Sequence, residues 1–294
     1  MLTDAAKLIR ALPCWRGEIV ISPLHGGLSN ANYKVIDQGE AYVARFGADF
    51  PFHHVSRQRE AAASRWAHAA GLSPEVIYAG EGALVCRFVE GRTYRAEDVQ
   101  GDLERVVDLI RTCHREVARR ARGEAGFFWV FHVLRDYAQT LRDGGREVPE
   151  LPRLSSIADE LEAAQTPLPI VFGHHDLLPA NFIADANRLW LIDWEYAGFG
   201  TPMFDLANVA QNALLTQRGE ARLLELYFGR APGEDLLKSF AAMKVASALR
   251  EALWAMVSQL HLETPGVDYG AYGAQCMTRF EAAHEDYLRK YHRK

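Results

Sequence analysis

Cysteine is scarce in this chain of 294 residues, and its four copies, Cys14, Cys86, Cys113 and Cys276, stand far apart with no CxxC pair. That spacing excludes a disulfide framework and a structural zinc site, and it fits a reducing compartment. No stretch approaches the ~20 consecutive apolar residues of a membrane span, and the first residues, Met-Leu-Thr-Asp-Ala-Ala-Lys, lack a basic region followed by an apolar run. Basic excess is missing as well: the net charge of -5 speaks against general nucleic-acid binding, although arginines cluster between positions 115 and 122. There is no Walker A motif, no GxGxxG and no HExxH, and neither repeats nor low-complexity segments occur. What is present, 49% hydrophobic and 24% charged residues, belongs to an ordinary globular protein long enough for two lobes. A cytoplasmic protein is the expectation.

The periodicities divide the chain. Apolar residues at 2, 5, 8, 9 and 12 predict a helix that Pro13 ends. Strands are predicted at 18–24, 32–36 and 41–46, the last two turned by Asp37-Gln38-Gly39-Glu40. A helix over 57–70, closed by Gly71, precedes two further strands near 75–78 and 83–89. These short connections imply an antiparallel sheet. After a linker near Val89 to Thr93, helical patterns cover 103–119, 131–141, 157–164, 204–215, 219–228, 234–260 and 272–291. Only the stretch around position 173 and residues 189–192 read as strands in this half. The expected fold class is α+β, two-lobed, with a β-rich N-terminal lobe (1–91) and a mainly helical C-terminal lobe (92–294).

The chemistry concentrates in Gly173-His-His-Asp-Leu-Leu-Pro-Ala-Asn181, a polar loop between apolar runs. His-x-Asp-x-x-x-x-Asn is the spacing of a kinase catalytic loop, in which the Asp accepts the substrate hydroxyl proton and the Asn holds magnesium. A lone His-x-Asp would be an ordinary turn-capping Asp. Here Ile192-Asp193-Trp194-Glu195 follows at the distance of a second metal ligand, so Asp176 is assigned as base and Asn181 with Asp193 as the Mg2+ pair. The adjacent His174 and His175 lack a third spaced ligand, so a zinc hydrolase is disfavoured and His174 is assigned a structural role. The segment His25-Gly26-Gly27-Leu28-Ser29-Asn30 lies between strands, where glycine amides approach phosphate and Ser29 and Asn30 add hydrogen bonds. Arg45 on the next strand is placed toward the same phosphates, oriented by Glu60 on the following helix. Glu195 is left between substrate binding, metal binding and an ion pair.

These pieces, with Tyr42-Val-Ala-Arg45, Arg57-Gln-Arg-Glu60, Phe88-Val-Glu-Gly91, Ile192-Asp-Trp-Glu-Tyr-Ala-Gly198, Phe204-Asp-Leu-Ala207 and Leu253-Trp254, resemble the choline/ethanolamine kinase family, within the group that includes aminoglycoside phosphotransferases. The likeness is to its bacterial choline kinase branch and spans nearly the whole chain. It implies a protein-kinase-like fold with ATP between the lobes and adenine held near Phe88, Val89 and Glu90. Gly27, Ser29, Asn30, Arg45 and Glu60 are then the other ATP contacts, and the γ-phosphoryl group passes to a small alcohol. Asp205 matches a supportive Asp of the family.

A quaternary ammonium cannot donate N–H hydrogen bonds and needs aromatic faces with a nearby carboxylate. The candidates are Trp254, Tyr269 and Tyr272, with Glu195 or Glu251 for charge. The sequence departs from that family where a second tryptophan is replaced by Glu251 and an acidic residue by Gln211-Asn212. Choline or ethanolamine is therefore the expected acceptor. The alternatives are an aminoglycoside, thiamine or a sugar, or a non-catalytic nucleotide-binding scaffold.

Overall fold

The fold is that of a computed structural model, which describes residues 2–24, 31–80, 82–145 and 147–291. Helix α1 (Leu2–Ala11) precedes β1 (Ile19–Leu24), β2 (Ala31–Asp37) and β3 (Glu40–Phe46), followed by α2 (Arg57–Ala69), β4 (Val76–Gly80) and β5 (Ala83–Arg87). The strands form one five-stranded sheet of order β1-β2-β3-β5-β4, antiparallel throughout, as the short connections require. The β2–β3 hairpin turns on Gln38 and Gly39, both at positive φ (51° and 85°), the backbone that matches the twist of paired strands. Ile9 of α1 completes a small core with Ile19, Val35, Tyr42, Ala44 and Val85. Ser56 caps α2, accepting from the Arg59 amide, and Gly71 at φ 77° follows its end.

The second part opens with β6 (Arg92–Thr93), α3 (Ala96–Gly101) and α4 (Leu103–Thr112), a π-helical turn at Cys113–Val117, α5 (Ala118–Arg120) and β7 (Phe127–Phe128). Helices α6 (Val130–Asp143) and α7 (Leu151–Ala163) lead to β8 (Val171–Gly173), β9 (Phe182–Ala184), β10 (Leu189–Leu191) and β11 (Gly198–Gly200). Then come α8 (Pro202–Asn212), α9 (Gln217–Phe228), α10 (Glu234–His261) and α11 (Tyr269–Tyr291). Helix α10 is the axis of this part and packs against α6, α7, α8 and α11, with Met243, Leu249, Leu253 and Val257 buried.

Three expectations change. The helix over 103–119 is not a continuous α-helix, because the π turn inserts at Cys113–Val117. Strands β6, β7 and β11 join the two expected ones, giving the three-stranded sheets β10-β9-β6 and β7-β11-β8. Runs of two or three residues are too short to show alternation in a sequence. Part of the expected linker is therefore structured: Arg92 pairs with Ala184 and Thr93 with Ile183. The arginine cluster is neutralised locally, since Arg115, Arg119 and Arg120 all pair with Glu116. Among the described residues, no helix is long and apolar enough to cross a membrane.

Candidate active site

The loop after β8 is held from beneath by α8. Asp205, 1% exposed, accepts hydrogen bonds from the amides of His174 (2.9 Å) and His175 (2.7 Å) and from His114 Nε2 (2.8 Å). Burial acts to raise its pKa, but the His114 hydrogen bond and the neighbouring histidines win, and the carboxyl lies well below its ordinary range. One turn further on, Asn208 Oδ1 accepts from the Leu177 amide at 2.7 Å.

His175 adopts φ 62°, which a non-glycine residue rarely does, and its ring stacks on Phe128 at 4.4 Å. That ring needs the glycines around it: a Cβ on Gly173 would stand 2.4 Å from His175 Nε2, and one on Gly200 3.0 Å. His174 donates from Nε2 to the Ile192 carbonyl (2.9 Å), and its Nδ1 faces the Asp176 amide at 3.3 Å. Both histidines are thus committed to shaping the loop, and burial lowers the pKa of each, His175 to about 4.

This scaffold brings Asp176, Asn181 and Asp193 together. Asn181 donates its amide nitrogen to the Asp176 carbonyl (2.8 Å), which turns the amide oxygen away from that contact. The Ile192 amide bonds the Asn181 carbonyl at 3.0 Å, setting Asp193, at φ 69°, on the adjoining segment. Burial raises the Asp176 pKa well above the carboxylate range. Arg250 opposes this, while Asp193, Glu251 and Glu195 add to it. Asp193 moves the other way: burial works to raise it, but the charge and hydrogen bond of Arg45 outweigh that and hold it low. One amide oxygen and one ionised carboxylate are the oxygen donors that Mg2+ takes from a protein when phosphates and water supply the rest, so these residues fit it.

Beside Asp193 runs a chain of alternating charges. Arg45 Nη1 donates to Asp193 at 2.7 Å, and Arg45 also pairs with Glu60, which is 1% exposed. The opposite oxygen of Glu60 takes Arg57 Nη1 at 2.6 Å, and the same nitrogen reaches Glu195 at 2.9 Å. The expected Arg45–Glu60 partnership is present. Arg57, given no role from sequence, links it to Glu195; its only signal was the three-residue spacing to Glu60.

Gly27, Ser29 and Asn30 lie outside the described residues. The Phe88 amide donates to Ala41 (2.9 Å), Val89 is half-buried, and the exposed Glu90 pairs with Lys34 at 3.3 Å, whose ammonium also sits over the Phe88 ring.

On the far side, Trp254 gathers the other aromatic candidates, with ring centroids 6.0 Å from Tyr269 and 6.3 Å from Tyr272. Tyr272 donates its hydroxyl to Glu251 at 2.7 Å, and Trp254 Nε1 donates to Tyr196 at 2.9 Å. Arg250, 3% exposed, lies over the Tyr196 ring at 4.4 Å and donates to Glu251 at 3.2 Å. Sequence reasoning assigned nothing to Arg250, Tyr196 or His53, which enters this cluster from the opposite end of the chain. None of the three belongs to a motif that spacing reveals.

Comparison with known proteins adds an independent line. A model of the phosphotransferase enzyme family matches residues 20–240. Protein LicA of Haemophilus influenzae is 26% identical over 291 residues, covering 92% of this chain and 83% of that protein. Ethanolamine kinase 2 of Mus musculus is 26% identical over 226 residues, covering 71% of this chain and 57% of that protein. The crystal structure of a choline/ethanolamine kinase family protein from Mesorhizobium loti superimposes with a TM-score of 0.78 at 26% identity, covering 97% of this chain and 95% of that one.

Proposed function

The chain belongs to the phosphotransferase enzyme family, in its choline/ethanolamine kinase group, and from that premise we propose that it transfers the γ-phosphoryl group of ATP, with Mg2+, to the hydroxyl of a small amino alcohol, choline or ethanolamine. The observation that carries this reading is the convergence of Asp176, Asn181 and Asp193 on one anchored loop, next to the buried Arg45–Glu60 pair.

In this reading residues 1–91 hold the nucleotide and residues 92–294 hold the acceptor. Phe88 to Glu90 lie along adenine, and Arg45 faces the phosphates with Gly27, Ser29 and Asn30. Asp176 orients the acceptor hydroxyl and takes its proton as the oxygen bonds to the γ-phosphorus, while the β–γ bridging bond breaks and ADP leaves. The raised proton affinity of Asp176 suits that acceptance. Asn181 and Asp193 hold Mg2+, whose charge offsets that of the phosphates. Arg45, released toward the phosphates, remains tied to Glu60. Catalysis rests on positioning and charge stabilisation, as a loose phosphoryl-transfer transition state requires. Glu251, Trp254, Tyr269 and Tyr272 form the acceptor wall, and Glu195 holds Arg57 in place.

The test is ADP release from Mg-ATP against choline, ethanolamine, thiamine, an aminoglycoside and simple sugars. An amino alcohol should stimulate turnover, and Asp176→Asn should lower kcat by roughly 10²–10⁴-fold while ATP still binds. Stimulation only by a sugar or an aminoglycoside would overturn the assignment.

A further inference from the structure

The acceptor wall shows few open ring faces. Trp254 is 6% exposed and Tyr269 5%, so neither is free to cover a cation. The face of Trp254 is taken by His53, whose ring lies nearly parallel to it with centroids 5.0 Å apart and planes at 20°. His53 comes from the segment between β3 and α2 and is fixed at both nitrogens, by the Tyr137 hydroxyl at 3.2 Å and by Ser258 at 2.8 Å. Its neighbour Phe52 stacks on His261 at 4.5 Å, so the segment is fastened to α10 at two points.

What the wall offers instead is oxygen. Glu251 and Gln211 both line a cavity of about 790 Å3 between α8, α9, α10 and α11. Glu251 carries a carboxylate, and Gln211 Oε1 is buried without a hydrogen-bond partner among the described residues. An unpaired buried acceptor is costly and calls for an N–H donor. The catalytic loop borders this cavity, since Asn208 and Asn212, which also line it, bond the Leu177 amide and carbonyl. A quaternary ammonium has no N–H to give and is held on aromatic faces, whereas a primary ammonium has three donors for carboxylate and amide oxygens.

We propose, on the reading of this chain as an amino-alcohol kinase, that its acceptor carries a primary ammonium, with Glu251 and Gln211 receiving the N–H groups and His53 closing the Trp254 face that a quaternary ammonium would need. His53 and Gln211 are then the residues that set specificity. One lies ahead of α2 and the other at the end of α8.

The experiment is kcat/KM with saturating Mg-ATP along the series ethanolamine, N-methylethanolamine, N,N-dimethylethanolamine and choline, in which each methyl removes one donor. The wild-type value should fall at each step, by roughly tenfold per lost hydrogen bond. Gln211→Met should lower the ethanolamine value and narrow the spread by about tenfold, since the lost partner serves only the early members. His53→Ala should narrow it from the other end by raising choline, whereas His53→Phe, which keeps a ring on Trp254, should preserve the wild-type order. A flat or rising wild-type series would overturn the proposal while leaving an amino-alcohol kinase in place. So would a folded His53→Ala with the wild-type spread. Turnover of a sugar or an aminoglycoside with none of the four amines would instead remove the amino-alcohol reading itself.

Discussion

Replacing Asp205 by Asn changes few atoms and should disturb both stability and catalysis. The carboxylate is buried and accepts from the amides of His174 and His175 and from His114. Asn keeps one acceptor oxygen and turns an NH2 group toward at least one of these donors. Hydrogen bonds to a charged group contribute about 1.5–3 kcal/mol each, and relief from burying a charge offsets part of the loss. A destabilisation of about 2–4 kcal/mol at neutral pH follows, measurable as a shift in the urea midpoint.

Both amides belong to the turn that carries Asp176, so a loop displaced by about 1 Å should also lower kcat by roughly 10²-fold. The pH dependence has a definite sign. The native carboxyl is held below its unfolded value, so its contribution is fully present above about pH 4 and is lost as the pH falls through the native pKa. Asn does not titrate, and the stability gap between wild type and variant should narrow on acidification from about pH 5 downward. A gap below about 0.5 kcal/mol at pH 7 with kcat intact, or one that does not change with pH, would show that Asp205 does not anchor the loop.

Other consequences are as direct. Gly173→Ala places a Cβ 2.4 Å from His175 Nε2 and 3.0 Å from Asp205 Oδ2, so it should cost about 1–3 kcal/mol in chemical denaturation and reduce turnover. Glu60→Gln leaves Arg45 and Arg57 facing a neutral amide in a buried position, for a loss of about 3–5 kcal/mol. In steady-state kinetics the KM for ATP should rise by roughly tenfold while that for the acceptor stays unchanged, since the pair lies on the nucleotide side. Trp254→Ala, which removes a buried indole stacked against His53, should cost about 3–5 kcal/mol by thermal or urea melts.

The loop residues were legible because their arrangement is local. Asp176 and Asn181 are five positions apart on one turn, and Asp193 follows across a short hairpin, so spacing alone carries the geometry. Arg45 and Glu60 were legible as a strand followed by its adjoining helix. The antiparallel sheet followed from connections too short to cross over. The π turn was not legible, since Leu103 to Arg119 carries an unbroken helical pattern. Its insertion accompanies a packing arrangement that turns His114 toward both Asp205 and Tyr227. The short strands β6, β7 and β11 stayed hidden because two or three residues form no periodic signal.

The sequence by itself determined that an Asp, an Asn and a second Asp would face one another on a rigid loop, and that a sheet-rich part would be joined to a helical one. Only the tertiary structure decided what stands around that loop. His53 meets Ser258 across 205 positions and Tyr137 across 84, Gln211 and Glu251 share a cavity wall, and Arg57 reaches Glu195 across 138. A pattern in sequence encodes contacts within a turn, a hairpin or one helix face. The partners that crowd a ring or leave an amide oxygen unpaired are chosen by the packing of elements far apart in the chain, and the choice of acceptor lies in that packing.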